Sequence, residues 1–320
     1  MSAKFVSGDS VNSLFYWLAR LFVFLVQLMP LKLVAQIGRI CGFLFYFIDG
    51  RHRRVAVNNL LACLCNSHSQ KEIISIAREN FCRIGEVYLS ALKTASIPAH
   101  DIGSILSFKG QENINLAKLE DGSLPSFLFA LGHFGNFELY AKTGFIVPDF
   151  DISTTYRGFR QPWLERLILS LREHSGVSFF ERRLDGKKLR SFMNRPGTIT
   201  GLLVDQNAGG RGLQLPFFGL PCSVTSSPAV FALRYNLCLH CCFCRRLGLA
   251  RWEIEVGPKI GTLYGGSPRA IEDILKDINL QFEDFILEDP ANWFWVHDRW
   301  KRPGRSLSND FGSTTKSSLA

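Results

Sequence analysis

The sequence predicts an α/β fold, a mixed sheet flanked by helices, with an amino-terminal membrane-associated helix in front of it. Three observations predict this. Residues 14–29 and 31–48 are two nearly unbroken apolar runs on either side of Pro30. Residues 51–96 carry apolar side chains at three- and four-residue spacing, the period of amphipathic helices. From residue 124 onward, short strand-like runs alternate with helical stretches, the pattern of a sheet with crossover helices. Hydrophobic residues make up 47% of the 320-residue chain and charged residues 20%, enough for a core and too apolar for wholesale disorder. The net charge of +9 favours an anionic partner: a membrane surface, an acidic protein, a phosphorylated ligand or nucleic acid.

The first apolar run, LFYWLARLFVFLVQLM, reaches roughly 24 Å as a helix, short of the ~30 Å hydrocarbon layer. Arg20 and Gln27 lie one heptad apart on one face. Such a segment either spans with its ends snorkelling or lies partly embedded. No small-x-small site ends it, so a cleavable signal peptide is not expected. Arg51, His52, Arg53 and Arg54 follow the second run, and basic flanks favour the cytoplasmic side. VAVNNLLACL and KEIISIARENFCRIGEVYLSALK then read as helices. SFLFAL, ISTTY, TITGLLV, LCLHCCFC and WEIEV read as strands. Helical stretches near 137–144, 161–175, 186–194, 227–236 and 268–288 separate several of them. The expected divisions are an anchoring segment over 1–50, a main domain over 51–303 and a disordered, small and polar tail from Gly304.

Nine cysteines are present, and Cys238, Cys241, Cys242 and Cys244 cluster around His240. No second ligand pair stands at zinc spacing, so LCLHCCFC reads as a core strand and no metal is expected. Unpaired thiols fit a reducing compartment. The loop Gly209–Gly212 lacks the lysine and spacing of a phosphate-binding loop, so no nucleotide cofactor is expected. No nucleic-acid module is recognisable, and the apolar amino terminus opposes that partner.

The chemistry concentrates in LGHFGNFELY, residues 131–140. A buried strand runs into a turn at His133, with Gly132 and Gly135 supplying backbone freedom. Asn136 is placed to cap a helix that starts at Phe137. His133 therefore sits at a strand end, where α/β sheets hold ligands. On one continuous helix, side chains five apart diverge by about 140°. The strand-turn-helix reading lets Glu138 face His133 instead and accept from one ring nitrogen, leaving the other as a base. No nucleophilic side chain accompanies the pair, which suits activation of a substrate hydroxyl or water. Backbone N–H groups at the start of that helix are candidates to bind a developing oxyanion. The bland alternative is a core histidine and a capping glutamate.

Arg157 follows the strand ISTTY, where a guanidinium binds phosphate, steadies charge at a reacting carbonyl or makes a surface ion pair. Asp205 and Gln206 end TITGLLV at another strand end. Asp205 is a candidate to hold Arg157 or the neighbourhood of His133, or is a turn carboxylate. Two basic stretches, Lys187–Lys188–Arg190–Arg195 and Arg299–Lys301–Arg302–Arg305, suit an acidic protein, lipid phosphates or a membrane surface, or are solvated faces. Trp293 and Trp295 pack inside or anchor at a membrane interface.

GHFGNFE resembles the H-x-x-x-x-D/E signature of glycerolipid-type acyltransferases, and more closely the late acyltransferases of lipid A biosynthesis, with Phe137 in place of the usual tryptophan. TTYRGFRQPWLERLI, GLLVDQNAGGRGLQLPFFG, PANWFWVHDRWKRPG and RHRRVAVNNLLACL are similar to further blocks of that family, together covering most of residues 15–303. Asp298 and Trp300 depart from the usual closing block. The resemblance implies an enzyme at the cytoplasmic face of the bacterial inner membrane. It moves a fatty acyl chain from acyl carrier protein to a hydroxyl on an acyl chain of a lipid A precursor, without metal or nucleotide. His133 would be the base and Glu138 its orienter, with Arg157, Asp205, Gln206, Asn136 and Gly135 around the substrate. Acylation of another glycolipid or phospholipid, or lipid binding without catalysis, are the alternative functions.

Overall fold

The structure, a computed structural model, describes residues 4–301 apart from His174. The expected tail from Gly304 lies outside the described residues. Four helices come first: α1 (Lys4–Leu28), α2 (Leu31–Ile48), α3 (Gly50–Leu64) and α4 (Gln70–Thr94). Pro30, which cannot continue a helix hydrogen-bond ladder, separates α1 from α2. Asp49 caps α3 by accepting from the His52 N–H, and Ser69 with Glu72 forms a reciprocal capping box at the start of α4. The first helix starts earlier than its apolar run. The second, Leu31–Ile48, is the helix among the described residues long and apolar enough to cross a membrane.

The remaining elements are β1 (Leu106–Lys109), β2 (Phe127–Leu131), β3 (Asp151–Tyr156), α5 (Pro162–Arg172), β4 (Val177–Glu181), α6 (Gly186–Met193), β5 (Thr198–Leu203), β6 (Leu213–Phe217), β7 (Leu220–Val224), α7 (Ser227–Arg234), β8 (Cys238–Gly248), β9 (Arg251–Ile260) and α8 (Ile271–Glu288). Seven strands form one sheet in the order β1-β9-β8-β2-β5-β3-β4. Neighbours are parallel except β8 and β9, so the sheet is mixed, as expected. The stretch over 137–144 is a 3-10 helix, Phe137–Phe145, rather than an α-helix. Strands β1 and β4 and the β6–β7 hairpin were not legible in the sequence. The hairpin turns at Phe218 and Gly219, both at positive φ, which is how a two-residue turn matches strand twist.

Alternation along the strands separates two faces. Leu128, Ala130, Leu202, Leu239, Cys241 and Phe243 pack with Leu60, Ile73, Ala229, Ile278 and Phe282 from the helices in the main core. LCLHCCFC is therefore a buried strand, with Cys241 and Cys244 fully buried. His240 is buried too, its Nδ1 3.1 Å from the Gly257 carbonyl, and burial lowers its pKa. The opposite face, with Phe127, Phe129, Leu131, Ile199, Gly201 and Leu203, floors an open cleft of about 1440 Å³.

Candidate active site

The sheet register builds the centre of the site. Leu131 of β2 pairs with Leu203 of β5, and the ladder continues through the Val204 N–H to the Leu131 carbonyl at 2.9 Å. Two residues beyond each partner stand His133 and Asp205. The Asp205 Oδ1 is 2.7 Å from His133 Nδ1, and Oδ2 accepts the His133 backbone N–H at 2.8 Å. Trp293 Nε1 donates to the same Oδ2, also at 2.8 Å. Asp205 is 3% exposed, and burial alone would raise its pKa. The adjacent His133 and these three hydrogen bonds outweigh burial and hold it at about 2. An ionised carboxylate only accepts, so Nδ1 carries a proton, and in the neutral ring the lone pair is on Nε2. Nε2 lies 3.4 Å from the Gln206 amide nitrogen. The imidazole is flanked by Phe137 and Phe294, at ring separations of 4.9 and 5.8 Å. His133 and Gln206 both line the cleft.

This arrangement corrects the expectation for Glu138. Glu138 does not orient the imidazole. Its carboxylate is held by Arg172 of α5, at 2.6 Å from Nη2 and 3.1 Å from Nε. The pair sits on the cleft wall with His133, but the contact to the ring belongs to Asp205. Spacing within one segment suggested Glu138, whereas the carboxylate in contact with the ring lies 72 positions away, just past β5. The clue in the sequence was that FLFAL-G-H and TGLL-V-D both carry an ionisable residue two positions past an apolar strand.

Asn136 also departs from expectation. It makes no side-chain cap, and its fully buried amide has no hydrogen-bond partner among the described residues. Gly135 is at φ +44°, and a Cβ there would stand 2.5 Å from the Cys244 carbonyl, so the turn needs glycine. The N–H groups of His133, Phe134, Gly135 and Phe137 bond Asp205, Gly132, Asn292 and Gly135. They are therefore engaged within the protein rather than open to an oxyanion.

The closing segment locks the centre from behind. Asn80 of α4 donates to the carbonyls of Ala291 and Trp293, and Asn59 of α3 to those of Trp295 and His297. Trp293 and Trp295 are buried and pack edge to face. His297 Nε2 accepts the Asn207 backbone N–H at 3.0 Å. Arg299, expected on an exposed basic stretch, is instead 1% exposed. It donates to the carbonyls of Gln206 and Ser223 and stacks on Phe217. Burial lowers its pKa, outweighing the opposing charge of nearby Asp205. The 205–207 loop is thus fixed by residues 297–301, a role the sequence did not disclose.

Arg157 is exposed on the cleft, not paired with Asp205. Among the described residues, seven cations line the cleft (Lys109, Arg157, Arg172, Arg182, Arg183, Arg190, Arg211) against one carboxylate, Glu138. Of the first basic stretch, Lys188 and Arg195 are occupied by Asp185 and Asp151. The hydrogen-bond partners of the His133 ring among the described residues include no hydroxyl or thiol. Cys242, a cleft thiol, is pushed up to about 12 by burial and is no nucleophile near neutral pH. The arrangement is a buried carboxylate, an imidazole whose Nε2 faces the Gln206 amide at the cleft, and a cleft that is apolar on its floor and cationic along its walls.

The sequence model of the family described as bacterial lipid A biosynthesis acyltransferase matches residues 8–302. The chain belongs to this family. No curated protein matches it significantly. As a lipid A biosynthesis acyltransferase, the protein has a cleft with room for both hydrocarbon and charge, and an imidazole on it whose hydrogen-bond partners among the described residues include no hydroxyl or thiol.

Proposed function

We propose that this acyltransferase moves a fatty acyl chain from acyl carrier protein to a hydroxyl on an acyl chain of a phosphorylated lipid A precursor, at the cytoplasmic face of the inner membrane. The observation that carries the proposal is the Asp205–His133 pair opening through Nε2 onto a cleft with an apolar floor and cationic walls. Nε2 takes the proton of the acceptor hydroxyl. The oxygen forms a bond to the thioester carbonyl carbon, and negative charge collects on the carbonyl oxygen. The Gln206 amide, 3.4 Å from Nε2, turns to donate to that oxygen. Collapse breaks the carbon–sulfur bond, and the departing thiolate recovers the proton from the imidazolium. The thiol is a good leaving group, so transfer proceeds without metal or nucleotide. Asp205 stays ionised throughout, orienting the ring and balancing its charge. Glu138 acts from the cleft wall, where it positions Arg172. Arg157 and the neighbouring arginines bind the phosphates of the acceptor, and Gly135 and Asn136 shape the turn that presents His133.

The test is transfer of labelled acyl groups from acyl carrier protein in detergent, to a lipid A precursor and in parallel to a phospholipid and an unrelated glycolipid. Transfer to the precursor alone supports the proposal. Transfer only to another lipid overturns the acceptor and leaves the chemistry. Binding of all three lipids without transfer overturns the enzyme.

A further inference from the structure

We propose that α1 and α2 lie along the surface of a single leaflet, their outer apolar faces in the lipid, and that neither helix crosses the bilayer. The proposal rests on how the two helices are fastened, not on the acyl-transfer reading.

Composition alone allows α2 to span. Its packing does not. It lies antiparallel on α4, backbone against backbone: a methyl added at Gly38 or Gly85 would strike the backbone of the other helix, and one at Gly42 the Phe81 carbonyl. Arg39, in the middle of α2, donates to both oxygens of Glu79, at 3.0 and 2.8 Å. It also reaches Glu86 at 3.4 Å. Glu86 is fully buried and holds Arg246 and the Ala250 N–H of the β8–β9 hairpin as well. Glu79 binds Arg83, whose other partner is Asp289, next to the closing segment. A spanning α2 would carry α4 with its charges into the hydrocarbon, or pull Arg39 off two carboxylates and place it at the bilayer centre.

The first helix is fastened in the same way. The Gln27 amide of α1 donates to the Leu92 carbonyl near the end of α4, and Lys93 of α4 donates to the Gln27 carbonyl. Arg166 of α5 lies over the Tyr16 ring at 4.4 Å, and Arg20 donates to Ser170. Tyr16, Val23 and Val26 form the inward stripe. The outward faces are apolar and uncovered: Trp17, Leu21, Phe24 and Leu28 on α1, and Leu33, Ile40, Leu44 and Phe47 on α2 are 49–65% exposed. Cations border this surface at both ends of α2, with Lys32 at its start and Arg51 and Arg54 just after it, all exposed. In a spanning helix these would fall on opposite sides of the membrane. In a flat one they all meet one layer of anionic headgroups, the pattern of an interfacial helix. Because α5 bears both the α1 contacts and the Arg172 that holds Glu138, the lipid-facing surface is one helix away from the cleft.

Sidedness tests the proposal. The full chain carries an epitope at each terminus, with the exposed Cys41 and Cys65 replaced by serine and Met29→Cys introduced at the break between the helices. Sealed membrane vesicles of both orientations are treated with protease and with an impermeant maleimide. The expected result is retention in the membrane pellet, both epitopes digested from the same face, and no labelling of position 29 from the opposite face. Epitopes on opposite faces would show a single crossing and overturn the proposal. Labelling of position 29 from the opposite face would show that both helices cross, and release into the supernatant would remove the lipid partner. Turnover is measured separately, so a failed topology is distinguishable from a failed enzyme.

Discussion

Replacing Asp205 by asparagine separates the two carboxylates that compete for the role of orienting His133. Asp205 Oδ2 receives two donors, the His133 N–H and Trp293 Nε1, while Oδ1 receives the ring Nδ1–H. An asparagine keeps most of these contacts by placing its oxygen where Oδ2 stands. Its NH₂ then faces Nδ1. The ring must accept there, so its proton moves to Nε2 and the lone pair that serves as the base is lost. Losing a hydrogen bond to a charged group costs about 1.5–3 kcal/mol, and each 1.36 kcal/mol of barrier is about tenfold in rate. The wrong tautomer adds to this; a serine protease loses ~10⁴-fold when its triad aspartate becomes asparagine. The expected fall in kcat is therefore ~10²- to 10⁴-fold. Asp205 does not line the cleft, so KM should change little. Steady-state transfer rates in detergent, with thermal unfolding as a check on folding, measure both. Glu138→Gln, which leaves the Asp205–His133 bond intact, should cost less. Wild-type kcat in Asp205→Asn beside an inactive Glu138→Gln would refute the reasoning and return the orienting role to Glu138.

Trp293→Phe keeps the ring but removes the donor to Asp205 Oδ2, and should lower stability by about 1.5–3 kcal/mol; an unchanged Tm would contradict this. Gly135→Ala forces a left-handed residue, costing ~1–2 kcal/mol, against the Cys244 carbonyl. Its Tm and kcat should both fall, and unaltered values would show the turn to be less constrained than described. Asp205 titrates at about 2 in the folded protein, below its ordinary value of 3.8. Its ionisation therefore stabilises the fold above about pH 4, and the contribution fades as pH falls toward 2. The stability difference between wild type and Asp205→Asn should shrink across that window by on the order of 2 kcal/mol, read from denaturant unfolding against pH. A constant difference would mean that Asp205 is not held ionised.

The sheet was legible where a strand is long and apolar. LCLHCCFC and TITGLLV are buried enough to announce themselves, and the three- and four-residue spacing of KEIISIARENFCRIGEVYLSALK marks α4. Strand β4, VSFFE, was hidden because aromatics occupy both faces at a sheet edge, and β1 is only four residues long. The place of His133, at a turn just past a buried strand, was legible from GHFGN. Asp205 was legible as a candidate near it, but not as the carboxylate that contacts the ring in place of Glu138, because that pairing depends on β2 lying beside β5 in one register, which no spacing within a segment encodes. Arg299 was misread for a related reason. Charge predicts exposure until the carbonyls of a distant loop, here those of Gln206 and Ser223, supply acceptors in the core.

The most direct measurement is turnover of wild type and His133→Ala with acyl carrier protein as donor and a lipid A precursor as acceptor. A loss of ~10²-fold or more, with the variant folded and binding lipid normally, is the result expected of a general base. Transfer by His133→Ala at the wild-type rate would contradict the account.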